Sequence, residues 1–285
     1  MIRLCAFSDE AGSSLQAQID ALHRNGIGLM EIRMVDGENI ANLSLEKAEQ
    51  IQKTLKENGI QVWSLGSPLG KVSMAEDFDF AKTLAQCEHL CKLAQVFETD
   101  KIRMFSFYDA YDKKDQVVSC LRQMVKLAAN YGVMLCHENE KSVYGDTVER
   151  VQILMEEVPG LKFVYDPANY IQCNEKAEKS LLAFHSSSIY FHIKDVIFET
   201  QELVPAGYGD GNIPKLVEMI QEDKVLTLEP HLKVFDGYAS FDAETMKNKF
   251  PFASNTEAFD AAVKALKDVL AMQGYKERRG GFEKV

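Results

Sequence analysis

The sequence lacks a basic excess, a long apolar run and a C-x-x-C cysteine pair, and each absence excludes a class of protein. Its 285 residues include 32 Lys and Arg against 43 Asp and Glu, which gives a formal net charge of −11. Nucleic acids and anionic membranes are bound by basic surfaces, so we expect neither as a partner. No apolar run reaches the roughly 20 residues that cross a bilayer. The amino terminus runs into Asp9 and Glu10 without the pattern of a signal peptide.

The cysteines form no motif for metal binding or redox chemistry. The chain has 6 cysteines, none of them in a C-x-x-C pair, and most lie in apolar segments. This pattern favours reduced thiols in the core over disulfides or a cysteine zinc site, and it predicts a cytoplasmic protein.

Apolar segments alternate with segments of helical spacing along the whole chain. Ser44 precedes an apolar stripe that Gly59 ends, and residues 254–257 match the S-x-x-E capping box. Strands joined by helices pair in parallel, and eight such units close into a barrel. We therefore predict an α/β fold, a (β/α)8 TIM barrel that forms a single domain over residues 1–275. A loosely held polar tail is expected over residues 276–285.

Four successive apolar segments end abruptly in a polar residue. These end residues are Glu138, Asp166, His192 and Glu229. Sites in such barrels lie at the carboxyl ends of the strands, so the four side chains are expected to meet at the barrel mouth. A carboxylate at such a position is costly to bury unless it is paired or bound to a metal.

Three carboxylates and an imidazole that converge without a cation would repel one another, and a divalent metal removes that cost. Three oxygen donors and one nitrogen suit Mn²⁺ or Mg²⁺, and Co²⁺ or Zn²⁺ are also compatible. A substrate carbonyl and its neighbouring hydroxyl would fill the open positions, which acidifies the adjacent C–H. Glu138 and Glu229 are predicted to act both as ligands and as the acid/base pair.

Each of these residues also has a structural interpretation. A single His192 at a strand end is more often hydrogen-bonded than metal-bound, and Asp166 before Pro167 is often only a helix N-cap. Glu138 lies in a polar run that solvent could cover. The occurrence of four such residues in succession at equivalent strand ends favours a shared metal site over these structural interpretations.

Together these motifs resemble the xylose isomerase-like TIM-barrel superfamily, and more narrowly its sugar phosphate isomerase/epimerase group. The matching segments are the strand-end Glu138, the Asp-Pro-Ala-Asn, Phe-His-Ile-Lys-Asp and Leu-Glu-Pro motifs, and the glycine-rich stretch 206–213. The resemblance covers residues 2–272 and implies one divalent metal ion held by Glu138, Asp166, His192 and Glu229. It further implies that the two glutamates transfer the proton. Ketose 3-epimerases carry a histidine where this chain has Asn169, and an arginine soon after the metal-binding histidine that is absent here.

Further residues are candidate substrate contacts, with a salt bridge as the alternative for Arg103, a solvated loop for Lys71, and support of the metal ligands for Lys194 and Asp195. They are Arg103, Lys194, Asp195, His231, Asn169 and Lys71. Glu31 and Arg33 are expected either to contact substrate or to pair with each other.

The leading hypothesis is a metal-dependent isomerase or epimerase that acts on a sugar or sugar phosphate through an enediolate. The alternatives are a metal-dependent lyase of the inosose dehydratase type and a non-catalytic sugar-binding barrel. A DNA-repair endonuclease on the same barrel would need more histidines and a basic face, so it ranks low. The expected partner is a small sugar or polyol-derived substrate, and the resemblance suggests a homodimer or homotetramer.

Overall fold

Eight short strands form a closed parallel barrel in the computed structural model, which describes residues 1–238 and 246–285. The strands are β1 (Ile2–Ala6), β2 (Leu29–Ile32), β3 (Gln61–Gly66), β4 (Lys101–Met104), β5 (Met134–Glu138), β6 (Lys162–Tyr165), β7 (Ser188–Ile193) and β8 (Lys224–Leu228). They neighbour one another in chain order, and β8 pairs with β1 from Ile2↔Lys224 to Ala6↔Leu228. This closure confirms the predicted (β/α)8 barrel.

Helices cover the outside of the barrel. They are α1 (Leu15–Arg24), α2 (Leu45–Glu57), α3 (Phe80–Val96), α4 (Lys114–Ala129), α5 (Val148–Glu157), α6 (Pro167–Gln172), α7 (Ala177–Phe184), α8 (Ile213–Glu218) and α9 (Asn255–Met272). The predicted caps are present, because Ser44 accepts from Lys47 N and Ser254 accepts from Glu257 N. Within the described ranges, no helix is long and apolar enough to cross a membrane.

The segment after β6 contains two helices where a (β/α)8 unit has one. It forms α6 and α7, which are separated at Asn174, a residue with φ of +60°. Asparagine tolerates this left-handed conformation better than most residues, and a continuous helix cannot contain it.

Two hydrophobic layers hold the fold together. The larger layer lies between the strands and the helices. The smaller layer fills the barrel interior and consists of Cys5, Leu29, Cys136, Val164, Tyr190 and Val225. Because side chains alternate along a strand, these inner residues identify which later residues also face inward at the strand tips.

The last residues form a β-hairpin, so the predicted loose tail is wrong for this segment. Strand β9 (Tyr275–Arg278) pairs with β10 (Gly281–Lys284), and β10 joins the barrel sheet through Ile2↔Phe282. Tyr275 and Phe282 are each only 6% exposed. Two buried aromatic residues anchor a segment whose other side chains are polar, and that composition hides the strand pattern.

Candidate metal centre and active site

The four predicted strand-end residues meet at the carboxyl end of the barrel. Glu138 shares the inward face of β5 with Cys136, and His192 shares that of β7 with Tyr190. Asp166 and Glu229 directly follow β6 and β8. All four are buried, and one ligand atom from each lies within 4.8 Å of the others.

The imidazole of His192 lies at the middle of the cluster. Its Nδ1 is 2.7 Å from Glu138 Oε1 and 3.2 Å from Glu229 Oε2. Its Nε2 is 3.1 Å from Glu31 Oε2, and the Tyr190 hydroxyl donates to Glu31 Oε1 over 2.8 Å. Burial disfavours the imidazolium, but the surrounding carboxylates of Glu138 and Glu31 hold the pKa of His192 well above its usual value.

Asp166 both caps a helix and faces the cluster, which are the two roles that its sequence context allows. Its Oδ1 accepts from the backbone N–H of Ala168 (2.8 Å) and Asn169 (3.2 Å), so it caps α6. Its Oδ2 faces the cluster and lies 3.0 Å from Lys194 Nζ. Burial raises the pKa of Asp166 to about 7, although Lys194 opposes the shift.

The donor set fits a divalent metal ion. Asp166 Oδ2 and Glu229 Oε2 are fully buried and accept no hydrogen bond within the described ranges; ion-pair contacts alone reach them. His192 turns Nδ1 toward Glu138 and Glu229, while Glu31 takes the other nitrogen. Three carboxylates with one imidazole, whose outer nitrogen contacts a further carboxylate, is a common arrangement at protein metal sites. Glu138, Asp166, His192 and Glu229 would hold the ion.

Arg33 links the cluster to the loop after β1. Its guanidinium donates to Asp9 over 2.8 and 3.0 Å, to Glu10 over 3.4 Å and to Glu229 Oε1 over 2.9 Å. Burial raises the pKa of Glu10 to about 8, with Arg33 opposing. Glu31 and Arg33 therefore bind different partners. Sequence reasoning overlooked Asp9 and Glu10, although β1 also runs directly into this acidic pair.

Arg103 extends from β4 toward Glu138. Its Nε lies 3.3 Å from Glu138 Oε2. Its guanidinium stacks over Phe7 and Phe105, with 5.3 and 4.6 Å to the ring centroids. Gly66 leaves room for this stack, because a Cβ there would lie 2.3 Å from the Phe7 ring. Arg103 is 4% exposed.

A cavity of about 530 Å³ opens above the cluster. Five of the six predicted substrate contacts line it, namely Arg103, Lys194, His231, Asn169 and Lys71. The amide of Asn169 donates to Glu138 Oε1 over 3.4 Å, and Lys71 Nζ lies 2.9 Å from Glu140 Oε2. Although burial opposes charge, Asp166 and Glu229 hold the pKa of Lys194 well above its usual value. Burial holds the pKa of His231 well below its usual value.

Asp195 does not belong to the cavity wall that the described residues form. Its carboxylate accepts from the backbone N–H of Gly207 (2.8 Å), Gly209 (3.0 Å), Gly211 (2.9 Å) and Val196 (3.0 Å). The glycine-rich stretch thus binds an internal carboxylate. The prediction that Asp195 contacts substrate is replaced by a structural role, because its acceptor capacity is used within the fold.

The sequence of this chain is similar to a known protein family and to a protein of known activity. The sequence profile described as xylose isomerase-like TIM barrel matches residues 19–269. A 3-dehydroshikimate dehydratase of Bacillus anthracis is 22% identical over 219 residues, which are 72% of this chain and 77% of that protein.

Two solved structures share the whole architecture. The IOLI protein with a bound zinc atom has a TM-score of 0.71 at 17% identity, and the match covers 95% of this chain and 99% of that one. A D-psicose 3-epimerase, solved in the presence of D-fructose, has a TM-score of 0.73 at 16% identity, with 95% and 99% covered. At these identities the two structures show a common fold.

Proposed function

The chain belongs to the xylose isomerase-like TIM barrel family, and on that premise we propose that it is a divalent-metal-dependent sugar isomerase or epimerase. The observation that carries the proposal is the pair of glutamates at the cluster. Glu138 and Glu229 approach the same His192 nitrogen, at 2.7 and 3.2 Å, from strands that are not neighbours in the barrel. Such a pair can act on two sides of one substrate carbon.

The surroundings of Glu229 keep it in the ionised form that a proton acceptor requires. Burial alone would raise its pKa, but Lys194 and His192 hold the pKa of Glu229 well below its usual value, so it remains a carboxylate. Arg33 fixes its other oxygen at 2.9 Å. A bound Mn²⁺ or Mg²⁺ would polarise the substrate carbonyl and acidify the adjacent C–H. Glu229 or Glu138 would take that proton, and the other glutamate would return one.

A dehydratase is the second candidate, and the relative from Bacillus anthracis favours it. Its first step is the same removal of a proton next to a carbonyl. The neighbouring hydroxyl would then leave as water with a proton from Lys194, whose Nζ lies 3.8 Å from Glu229 Oε2. The removal of the first proton is therefore common to both candidates, and they differ in the second step, where Lys194 would protonate a leaving hydroxyl in the dehydratase and a glutamate would return a proton to carbon in the isomerase.

Exchange of substrate hydrogen with D₂O tests the proposal. The metal-loaded protein is screened by NMR against ketoses, aldoses and inososes, beside the Glu138→Gln and Glu229→Gln variants. We expect deuterium to enter one carbon, and exchange to fall by about 10²–10⁴-fold in each variant. Glu218→Gln, at an exposed position of α8, is the control. Metal content is measured for every variant, since both glutamates are proposed ligands.

The products separate the candidates. An isomerase or epimerase forms a new sugar of equal mass, whereas a dehydratase forms a product lighter by one water. Full exchange in the Glu229→Gln protein would contradict the two-glutamate mechanism. Metal binding without any exchange across the panel would favour the sugar-binding alternative.

A further inference from the structure

Each proposed proton-transfer glutamate has its own arginine, and both arginines rest on one aromatic ring. Arg33 lies 2.9 Å from Glu229 and Arg103 lies 3.3 Å from Glu138. Their guanidinium groups lie 4.4 and 5.3 Å from the Phe7 centroid. Glu229 and Glu138 thus each have a nearby arginine that also contacts Phe7.

The two arginines differ in how their N–H groups are used. Arg33 is bound by Asp9, Glu10 and Glu229. Arg103 donates no side-chain hydrogen bond to any residue in the described ranges, and its Nε is fully buried without an acceptor. Within the described ranges, its one ion-pair contact is the 3.3 Å approach of Nε to Glu138 Oε2.

Arg103 is therefore a buried cation whose side chain donates no hydrogen bond within the described ranges. Only 4% of the residue is exposed, yet it lines the cavity. Burying a guanidinium without hydrogen-bond acceptors costs free energy. Its N–H groups are therefore suited to bind oxygen atoms of a ligand. A planar fork of N–H donors matches a carboxylate or phosphate better than a single neutral hydroxyl.

The wall around Arg103 has more basic than acidic residues. The cavity lining contains seven Lys or Arg and three Asp or Glu residues, whereas the whole chain has a net charge of −11. Lys71 also lines the cavity, and its Nζ lies 4.4 Å from the centroid of Phe105, the ring that the Arg103 guanidinium also contacts. A lining with an excess of positive charge raises the local concentration of anionic ligands.

We propose that the substrate carries an oxyanion group, a carboxylate or a phosphate, and that Arg103 binds this group beside Glu138. This inference rests on the proposed function and adds the substrate class. It places the anion next to one of the two glutamates, with the carbonyl and hydroxyl of the same molecule over the metal centre. Neutral sugars would leave the Arg103 fork without a charged acceptor.

Matched ligand series test this inference without requiring turnover. Binding of D-glucitol, D-gluconate and D-glucitol 6-phosphate, and of glycerol, glycerate and glycerol phosphate, is measured by calorimetry on the metal-loaded full chain. We expect at least one anion to bind about tenfold or more tightly than its neutral partner. Preference for the carboxylate or for the phosphate member identifies the anion.

Variants of Arg103 assign the preference to this residue. In Arg103→Met the preference should disappear, while the Kd of the neutral member changes by less than about threefold. Arg103→Lys should keep part of the preference, because it keeps the charge and loses the fork. Arg122→Met is the control for a lost charge, since Arg122 is exposed and donates to Glu157 O away from the cavity.

Equal Kd values within every series, or an anion preference that survives in Arg103→Met, would overturn the inference. Thermal unfolding of each variant verifies that it is folded, and Arg103→Lys provides the comparison if the Met variant is not. Metal content and D₂O exchange, the latter measured with sugar phosphates and sugar acids as well as neutral sugars, report separately on the proposed function. An Arg103-dependent anion preference without exchange would therefore contradict the proposed function and not the substrate class.

Discussion

At the scale of single residues, Glu31 determines which ring nitrogen of His192 carries the proton. Its Oε2 lies 3.1 Å from His192 Nε2, and its Oε1 accepts from Tyr190 over 2.8 Å. A carboxylate in this position favours the tautomer with the proton on Nε2, which leaves the Nδ1 lone pair facing Glu138 and Glu229. Glu31 therefore acts as a positioning residue.

Glu31→Gln should weaken metal binding by about 10–100-fold, because an amide oxygen is a poorer acceptor for the His192 N–H. Chelator competition on the purified variant measures this affinity. Glu49→Gln, on the exposed face of α2, is the matched control and should bind metal like the parent protein. An unchanged affinity in Glu31→Gln would remove Glu31 from this role.

His137 should make the fold less stable in acid. Burial lowers its pKa to about 3, and its Nε2 lies 2.9 Å from Ser106 Oγ. Between about pH 6.5 and pH 3 the unfolded chain binds a proton that the folded chain does not. The free energy of unfolding therefore falls toward acid by up to about 1.36 kcal/mol per pH unit from this group.

Urea unfolding of the parent and of His137→Asn at several pH values isolates this contribution. The advantage of the parent over the variant should shrink as the pH falls below 6.5, since asparagine does not titrate. Parallel stability curves for the two proteins would show that His137 binds protons equally in the folded and unfolded chains, which would contradict the lowered pKa.

At the scale of elements, the glycine-rich loop after β7 is held by one carboxylate. Asp195 accepts from Gly207, Gly209 and Gly211, and a Cβ at Gly209 or Gly211 would lie 2.4 or 2.7 Å from Asp195 Oδ1. The preceding residue, Lys194, contacts Asp166 and Glu229. The loop therefore helps to hold Lys194 over the cluster.

Asp195→Ala should lower the free energy of unfolding by about 3 kcal/mol, because it strips several backbone donors of their acceptor. Urea unfolding measures the loss. Asp210→Ala is the control within the same loop: Asp210 is exposed and accepts only from Phe198 N among the described residues, so its loss should be much smaller. Equal losses would contradict the anchoring role of Asp195.

Prediction from sequence succeeded for elements whose signals are local. Ser44 and Ser254 act as caps because capping depends on neighbouring backbone N–H groups, and the strand tips follow from the alternation of side chains. The direction of Asp195 depends on a loop 12 to 16 residues away, which no local pattern reveals. The hairpin over 275–284 depends on two aromatic residues and its pairing with β1.

At the scale of the whole molecule, the barrel joins residues that are far apart in the chain. Arg33 and Glu229 are separated by 196 positions, and His192 and Glu31 by 161. The alternation of eight strands and helices predicts the barrel and the four cluster residues, because topology alone brings strand ends together. The partners of Arg33 and Arg103 depend on side-chain rotamers inside the mouth, which the sequence pattern does not contain.

The carboxyl-terminal hairpin should stabilise the molecule without contributing to the site. Phe282→Ala should cost about 3 kcal/mol of unfolding free energy, since the ring is 6% exposed and packs in the main core. Metal content should not change, because β10 pairs with the first residue of β1, at the end opposite the mouth. Phe250→Ala, where the ring is 37% exposed, is the control. Equal stability of the Phe282→Ala protein and its parent would restore the interpretation of a loose tail.

The metal content of the purified protein after loading with Mn²⁺, compared with that of His192→Ala, tests the central claim most directly. We expect about one divalent ion per chain in the parent and a sharp loss in the variant, because Nδ1 of His192 is the single nitrogen donor of the set. A parent protein that retains no ion, or a variant that retains as much as the parent, would contradict a metal centre built from Glu138, Asp166, His192 and Glu229.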